Sequence, residues 1–224
     1  AFKGGAKPPA FPSDARQSVK LGAAGIAALD IIKPAPLSAS PVAASAGDIK
    51  AGAAMKKYLD ANPHIQSDDA ALRKTARDVT ASQKTPWEKA SALTHWVYRR
   101  IDKKTLGVGL ATAKEVFQNP TGDCTEHSVL LAAMLRAVDV PSRVVVGLVY
   151  SPEMKVFGYH MWTEGYVQGA WRGLDATFDE AALDPTHIKF TDSALDKGVE
   201  PSLITDILSF MQNMEMKIVK VEYE

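Results

Sequence analysis

Apolar positions recur at helical spacing through the first part of the chain body and give way to strand-like runs after residue 140. In "TPWEKASALTHWVYRRI" (85–101), Trp87, Ala90, Leu93, Val97 and Ile101 fall three or four residues apart, which predicts one helix face turned to a core. Thr85, Pro86 and Glu88 mark its start as a capping box, with proline where its missing N–H costs nothing. "TAKEVFQ" (112–118) repeats the Thr-x-x-Glu pattern on a shorter helix. Upstream, Asp48 is placed to cap a helix over 49–60 that Asn62-Pro63 stops. Ser67 precedes another over "DDAALRKTARDVTAS", with acids in the first turn where the helix dipole favours them.

After residue 140 the runs are β-branched or aromatic: "RVVVGLVY" (143–150), "YHMWTEGYV" (159–167) and "WRGLDAT" (171–177), the last two joined by the turn-like "QGA". "PSLITDILSFMQN" (201–213) reads as a late helix, and the alternating "MEMKIVKVEYE" (214–224) as a last strand. Helices first, then mainly antiparallel strands with short turns, predict an α+β fold. Residues 1–47 are rich in Ala, Pro, Gly and Ser and cannot hold a long helix, so they read as a low-complexity arm or linker ahead of a body at 48–224.

Composition narrows the function classes. Lys+Arg and Asp+Glu both number 26, a balance that argues against nucleic acid or an anionic membrane as the main partner. No run approaches the roughly 20 apolar residues that span a bilayer. The chain opens on Ala1, which suggests a processed or excised sequence. The compartment is left open, with periplasm or cell envelope favoured over cytoplasm.

The chemistry centres on "PTGDCTEHSVLLAAML" (120–135), which holds the single cysteine. Gly122 allows a tight turn and Asp123 can cap, so Cys124 falls on the first turn of a helix. Free N–H groups and the positive dipole end surround it there. Such a position lowers a thiol pKa from about 8.5, as does a neighbouring imidazolium. Of the five histidines, His127 follows along the helix and reads as helix support. Cys-x-x-His hints at a metal, but one cysteine and no second clustered pair fall short of the four ligands a structural zinc needs. No metal and no cofactor are expected. His160 lies on a predicted strand and Asp175 on the next, so antiparallel pairing can bring them together. A nucleophile, base and orienting acid would then be Cys124, His160 and Asp175. The spacing leaves open an inert buried cysteine, a satisfied strand histidine and a turn-capping acid.

The ordered set "GDCTEHSVLLAAMLRAVDVPSRVVVGLVY", "GYHMWTEGYV" and "WRGLDAT" resembles the transglutaminase-like superfamily, a branch of the papain-like thiol enzymes, over about residues 85–190. It is most similar to bacterial and archaeal transglutaminase-like cysteine peptidases, and "HIKFTDSAL" (187–195) fits the bacterial members. The resemblance implies a papain/transglutaminase-like core, with the nucleophile at the N-terminus of the central helix and 48–224 as the catalytic domain. It assigns the nucleophile to Cys124, the general base to His160 and the orienting acid to Asp175, and carries over no calcium dependence. It further implies cysteine-dependent acyl transfer on peptide or side-chain amides through a thioester, with a protein or peptide as substrate. Hydrolysis is expected; a cross-linking transglutaminase, a non-catalytic binding module and a metal-dependent hydrolase are the competing readings. Glu126 reads as helix support. Trp162, two residues along the strand from His160, reads as a cleft wall that binds substrate, as a shield over the Cys–His pair, or as a core residue. Trp87 and Trp96 read as core. Asp139 stands where the family has glycine, at a predicted left-handed helix end.

Overall fold

The computed structural model describes residues 11–22, 26–34, 55–104, 111–197 and 214–222. Its centre is helix α4 (Cys124–Ala137), numbered after α1 (Ala70–Val79), α2 (Pro86–Arg100) and α3 (Ala113–Gln118). Every residue of α4 from Thr125 to Ala137 is buried. A helix enclosed on all sides needs no polar stripe, and Val129–Leu135 supply apolar groups around its whole circumference. Helices α1, α2 and α3 pack against it.

Helix α4 also rests on a four-stranded antiparallel sheet: β5 (Ser142–Ser151), β6 (Val156–Val167), β7 (Ala170–Leu174) and β8 (His187–Ser193), in the order β7-β6-β5-β8. Helices on one face of an antiparallel sheet make the fold α+β, as the sequence pattern predicts. The β6–β7 turn is Gln168–Gly169, both at positive φ, the geometry of a two-residue hairpin. Val144, Val146, Leu148 and Met161 pack toward α4, while Val145, Trp162 and Leu183 form a second cluster. The period-2 alternation of each strand divides them.

Two smaller pairs complete the described structure: a parallel contact of β3 (Lys103–Lys104) with β4 (Thr121–Gly122), and a hairpin of β1 (Gln17–Leu21) with β2 (Ala27–Ile31). The hairpin lies inside the proline-rich region read as an arm or linker. It is anchored on the body: the Gln17 carboxamide pairs with both backbone groups of Lys189 at 2.8–2.9 Å, and Phe11 meets Phe190 edge-on. The open edge of β8 is thereby partly covered.

Local signals hold at the capping boxes of Thr85 with Glu88 and Thr112 with Glu115, and at Asp139, whose φ is 65°. Trp87 and Trp96 are half-buried and pack against the core. Two expectations need correction. Helix α1 starts at Ala70, after both acids read into its first turn: the Asp69 carboxylate caps it by taking the N–H groups of Ala71 and Leu72, and the first turn holds no acid. Residues 214–222 make no last strand: Met214 sits in one isolated bridge and the remainder carries no ladder. Alternation yields a strand only beside a free sheet edge, and Val219 is 89% exposed. Asp48 and the late helix over 201–213 lie outside the described residues, whereas 55–59 is helical.

Candidate active site

Asp123 starts α4. Its carboxylate takes the N–H groups of Thr125 and Glu126, and the Glu126 carboxylate returns to the Asp123 N–H at 2.9 Å. Gly122 makes this closure possible: at φ 149°, a Cβ there would lie 2.4 Å from Glu126 Cγ. Glu126 also accepts from the Ala111 N–H at 3.2 Å, and His127 Nδ1 lies 2.6 Å from the Asp123 carbonyl. Both residues support the helix, as their position suggests. Cys124 is left on the first helical turn, half-buried, with its sulfur accepting the backbone N–H of Met161 from β6.

The residue before Met161 is His160, which is 3% exposed. Its Nε2 donates to Asp175 Oδ2 at 2.6 Å. The other ring nitrogen, Nδ1, keeps its lone pair in the neutral ring. Asp175 just follows β7, where a reciprocal backbone bridge to Glu180 at 2.8 Å fixes its main chain and the Thr177 N–H holds Oδ1 at 2.7 Å. The pair meets because β6 and β7 run antiparallel, with Thr163 opposite Leu174. Thus the structure joins His160 to Asp175 directly, and brings the thiol to the same strand one residue along.

The electrostatics differ from the expected lowered thiol. Burial pushes Cys124 up to about 12. The Met161 N–H pulls the other way, but the charges of Asp123, Asp175 and Glu126 add to the rise. One helix end does not outweigh desolvation together with nearby carboxylates. Burial thus favours the thiol over the thiolate, so that transfer of its proton to a base would make the nucleophile. Burial alone would raise Asp175, yet hydrogen bonds from His160 and His187 hold it well below the ordinary carboxylate range.

Trp162 is 1% exposed and stacks on the His160 ring at 6.2 Å, its face turned to imidazole and not to a cleft. Substrate contact therefore does not fit Trp162: enclosed with Val145 and Leu183, it backs the histidine. The outer face of His160 is covered by Phe178 at 4.9 Å, a residue 49% exposed that the sequence pattern does not single out. His95 Nδ1 holds the neighbouring Asp179 at 2.6 Å. His187 is also absent from the expected site: its only signal is its place at the head of "HIKFTDSAL". His160, Asp175 and His187 present ligand-type atoms within 4.8 Å of one another, as do Glu180, Asp184 and His187. In both groups the histidine nitrogens face carboxylates at hydrogen-bond distance.

Residues 73–176 match the family model of the transglutaminase-like superfamily. An uncharacterised protein of Haemophilus influenzae is 26% identical over 105 residues, 45% of this chain and 28% of its own length. A candidate cysteine protease from Cytophaga hutchinsonii shares the fold with a TM-score of 0.55 at 23% identity, over 63% of this chain and 47% of its own. The periplasmic domain of TgpA from Pseudomonas aeruginosa is similar at a TM-score of 0.45 and 20% identity, over 57% of this chain and 50% of its own. The matched region thus spans little more than a quarter of the curated relative and about half of these solved structures. Among the described residues no helix is long and apolar enough to cross a membrane.

Proposed function

We propose, from the match of residues 73–176 to the transglutaminase-like superfamily, that this chain is a cysteine-dependent hydrolase of peptide or side-chain amide bonds, with Cys124, His160 and Asp175 as its working groups. One observation carries the reading: a buried His160–Asp175 pair at 2.6 Å on the strand whose next N–H reaches the thiol at the start of α4.

The Sγ–H proton passes to Nδ1 of His160 as sulfur attacks the amide carbonyl carbon. The C–S bond forms and the carbonyl electron pair moves to oxygen. Asp123 occupies the N–H groups of Thr125 and Glu126, so the N–H of Cys124 itself faces that oxyanion. His160, now imidazolium, returns the proton to the leaving amine as the C–N bond breaks, which leaves a thioester. Water, deprotonated by His160, attacks the thioester, the acid departs and the thiol is restored. Asp175 fixes the His160 tautomer throughout and stabilises its charged form.

A peptide and isopeptide library, incubated with and without an amine acceptor, tests this. Hydrolysed or deamidated products that disappear with Cys124→Ala are expected. Products that are mainly amine-linked would make the chain a transglutaminase, and no turnover by the folded wild type would make it a binding module.

A further inference from the structure

Beside the proposed site lies a second buried histidine with no role in the steps above. His187, the first residue of β8, is 0% exposed. Its Nε2 lies 3.2 Å from Asp175 Oδ2, the same oxygen that takes the His160 N–H at 2.6 Å. Its Nδ1 lies 3.3 Å from Asp184 Oδ1 and 3.2 Å from Thr186 Oγ1. A ring with a carboxylate at each nitrogen is satisfied when both nitrogens carry protons.

We propose that His187 is a positioning residue of the acyl-transfer site: it donates Nε2–H to Asp175 and Nδ1–H to Asp184, which holds the shared carboxylate on His160 and offsets its charge. The inference rests on the reading of Cys124, His160 and Asp175 as working groups. Asp175 is also 0% exposed, so its charge is not dissipated into water. A lone buried carboxylate would bind the His160 proton tightly and spoil the imidazolium as an acid toward the leaving amine. With His187 cationic, the pair Asp175–His187 is neutral as a unit, and His160 can both accept and release its proton.

The groups facing His187 agree with a cation. Asp175 and Glu180 come from the segment after β7, Asp184 from the loop before β8 and His160 from β6. Arg16, from the chain ahead of β1, donates to the backbone carbonyls of Asp184 and His187 and so ties that loop in place. Burial by itself would lower His187, but the bonds to Asp175 and Asp184 and the nearby charge of Glu180 raise it overall.

The test uses the full chain with Cys124→Ala, so that histidine titration is read without the thiol. Ring ¹⁵N and Cε1–Hε1 resonances of the five histidines are followed with pH. His187 is expected to carry protons on both nitrogens near pH 6, and His187→Gln is expected to raise the His160 midpoint by about one pH unit. In the cysteine-containing protein, the acid limb of kcat moves in the same direction. A His187 ring with one unprotonated nitrogen near pH 6 overturns the proposal, and this reading survives even if His187→Gln does not fold. A folded His187→Gln protein with an unmoved His160 midpoint overturns it as well. Because these readouts need no turnover, an inactive wild type would refute the hydrolase reading alone and leave the link between the two histidines measurable.

Discussion

Gly147 offers a severe test of how the site is held. It lies on β5 between two partners, opposite His160 on β6 and Lys189 on β8, where the β5–β8 register shifts. A Cβ at this position would lie 2.0 Å from the carbonyl oxygen of Ile188 and 2.9 Å from Cη2 of Trp162. Side chains essentially never approach closer than 3.0 Å, so Gly147→Ala forces the Ile188 backbone back by about 1 Å. Ile188 adjoins His187, whose 3.2 Å bond to Asp175 would stretch beyond hydrogen-bond range. Overpacking of this kind costs about 1–3 kcal/mol, and a lost ladder bond adds about 1 kcal/mol. Urea denaturation followed by tryptophan fluorescence should show a loss of about 2–4 kcal/mol with an unchanged m-value. Hydrolysis by the folded fraction should fall about 100-fold, since misplacement by about 1 Å has that order of effect. A stability loss below about 0.5 kcal/mol together with wild-type turnover would show that β5–β8 spacing does not hold the site, and would refute the reasoning.

Two further outcomes are expected. Asp139, exposed at the end of α4 with φ 65°, pays for a left-handed conformation that glycine adopts freely. Asp139→Gly should therefore gain about 0.5 kcal/mol, seen as a Tm rise of about 1–2 °C, without a change in turnover; a fall in Tm would count against it. The pH dependence of stability should be bounded on both sides. Asp175 is depressed from 3.8, so its contribution is complete above that value and fades as pH falls toward its folded pKa. His187 is raised from 6.5, so its contribution is complete below that value and is lost as pH rises through its folded pKa. The urea midpoint should be highest between these limits; a midpoint that climbs steadily through neutral pH would exclude a cationic His187.

Capping boxes, helical periodicity and the QGA turn were legible because each is settled within a few neighbouring residues. Thr85 needs only Glu88, and Asp123 only the N–H groups one turn ahead. The pairing of His160 with Asp175 was within reach for a related reason: a short hairpin turn leaves few registers for the two strands. The start of α1 was less legible, because a serine and two adjacent acids all suit a cap and local composition does not rank them.

What required the folded molecule is the surroundings of these groups. The thiol rises because α4 is enclosed, and burial sums over every element packed against a residue. Trp162 became a support for His160 once Val145 and Leu183 closed around it. His187 reaches Asp175 across twelve residues and a strand crossing, and Gln17 reaches Lys189 across 172. The residue order thus marked helices α1–α4 and strands β5–β7, and singled out a thiol, an imidazole and a carboxylate. Only tertiary packing decided their protonation and their supports, because desolvation and carboxylate sharing depend on distance in space and leave no period along the chain.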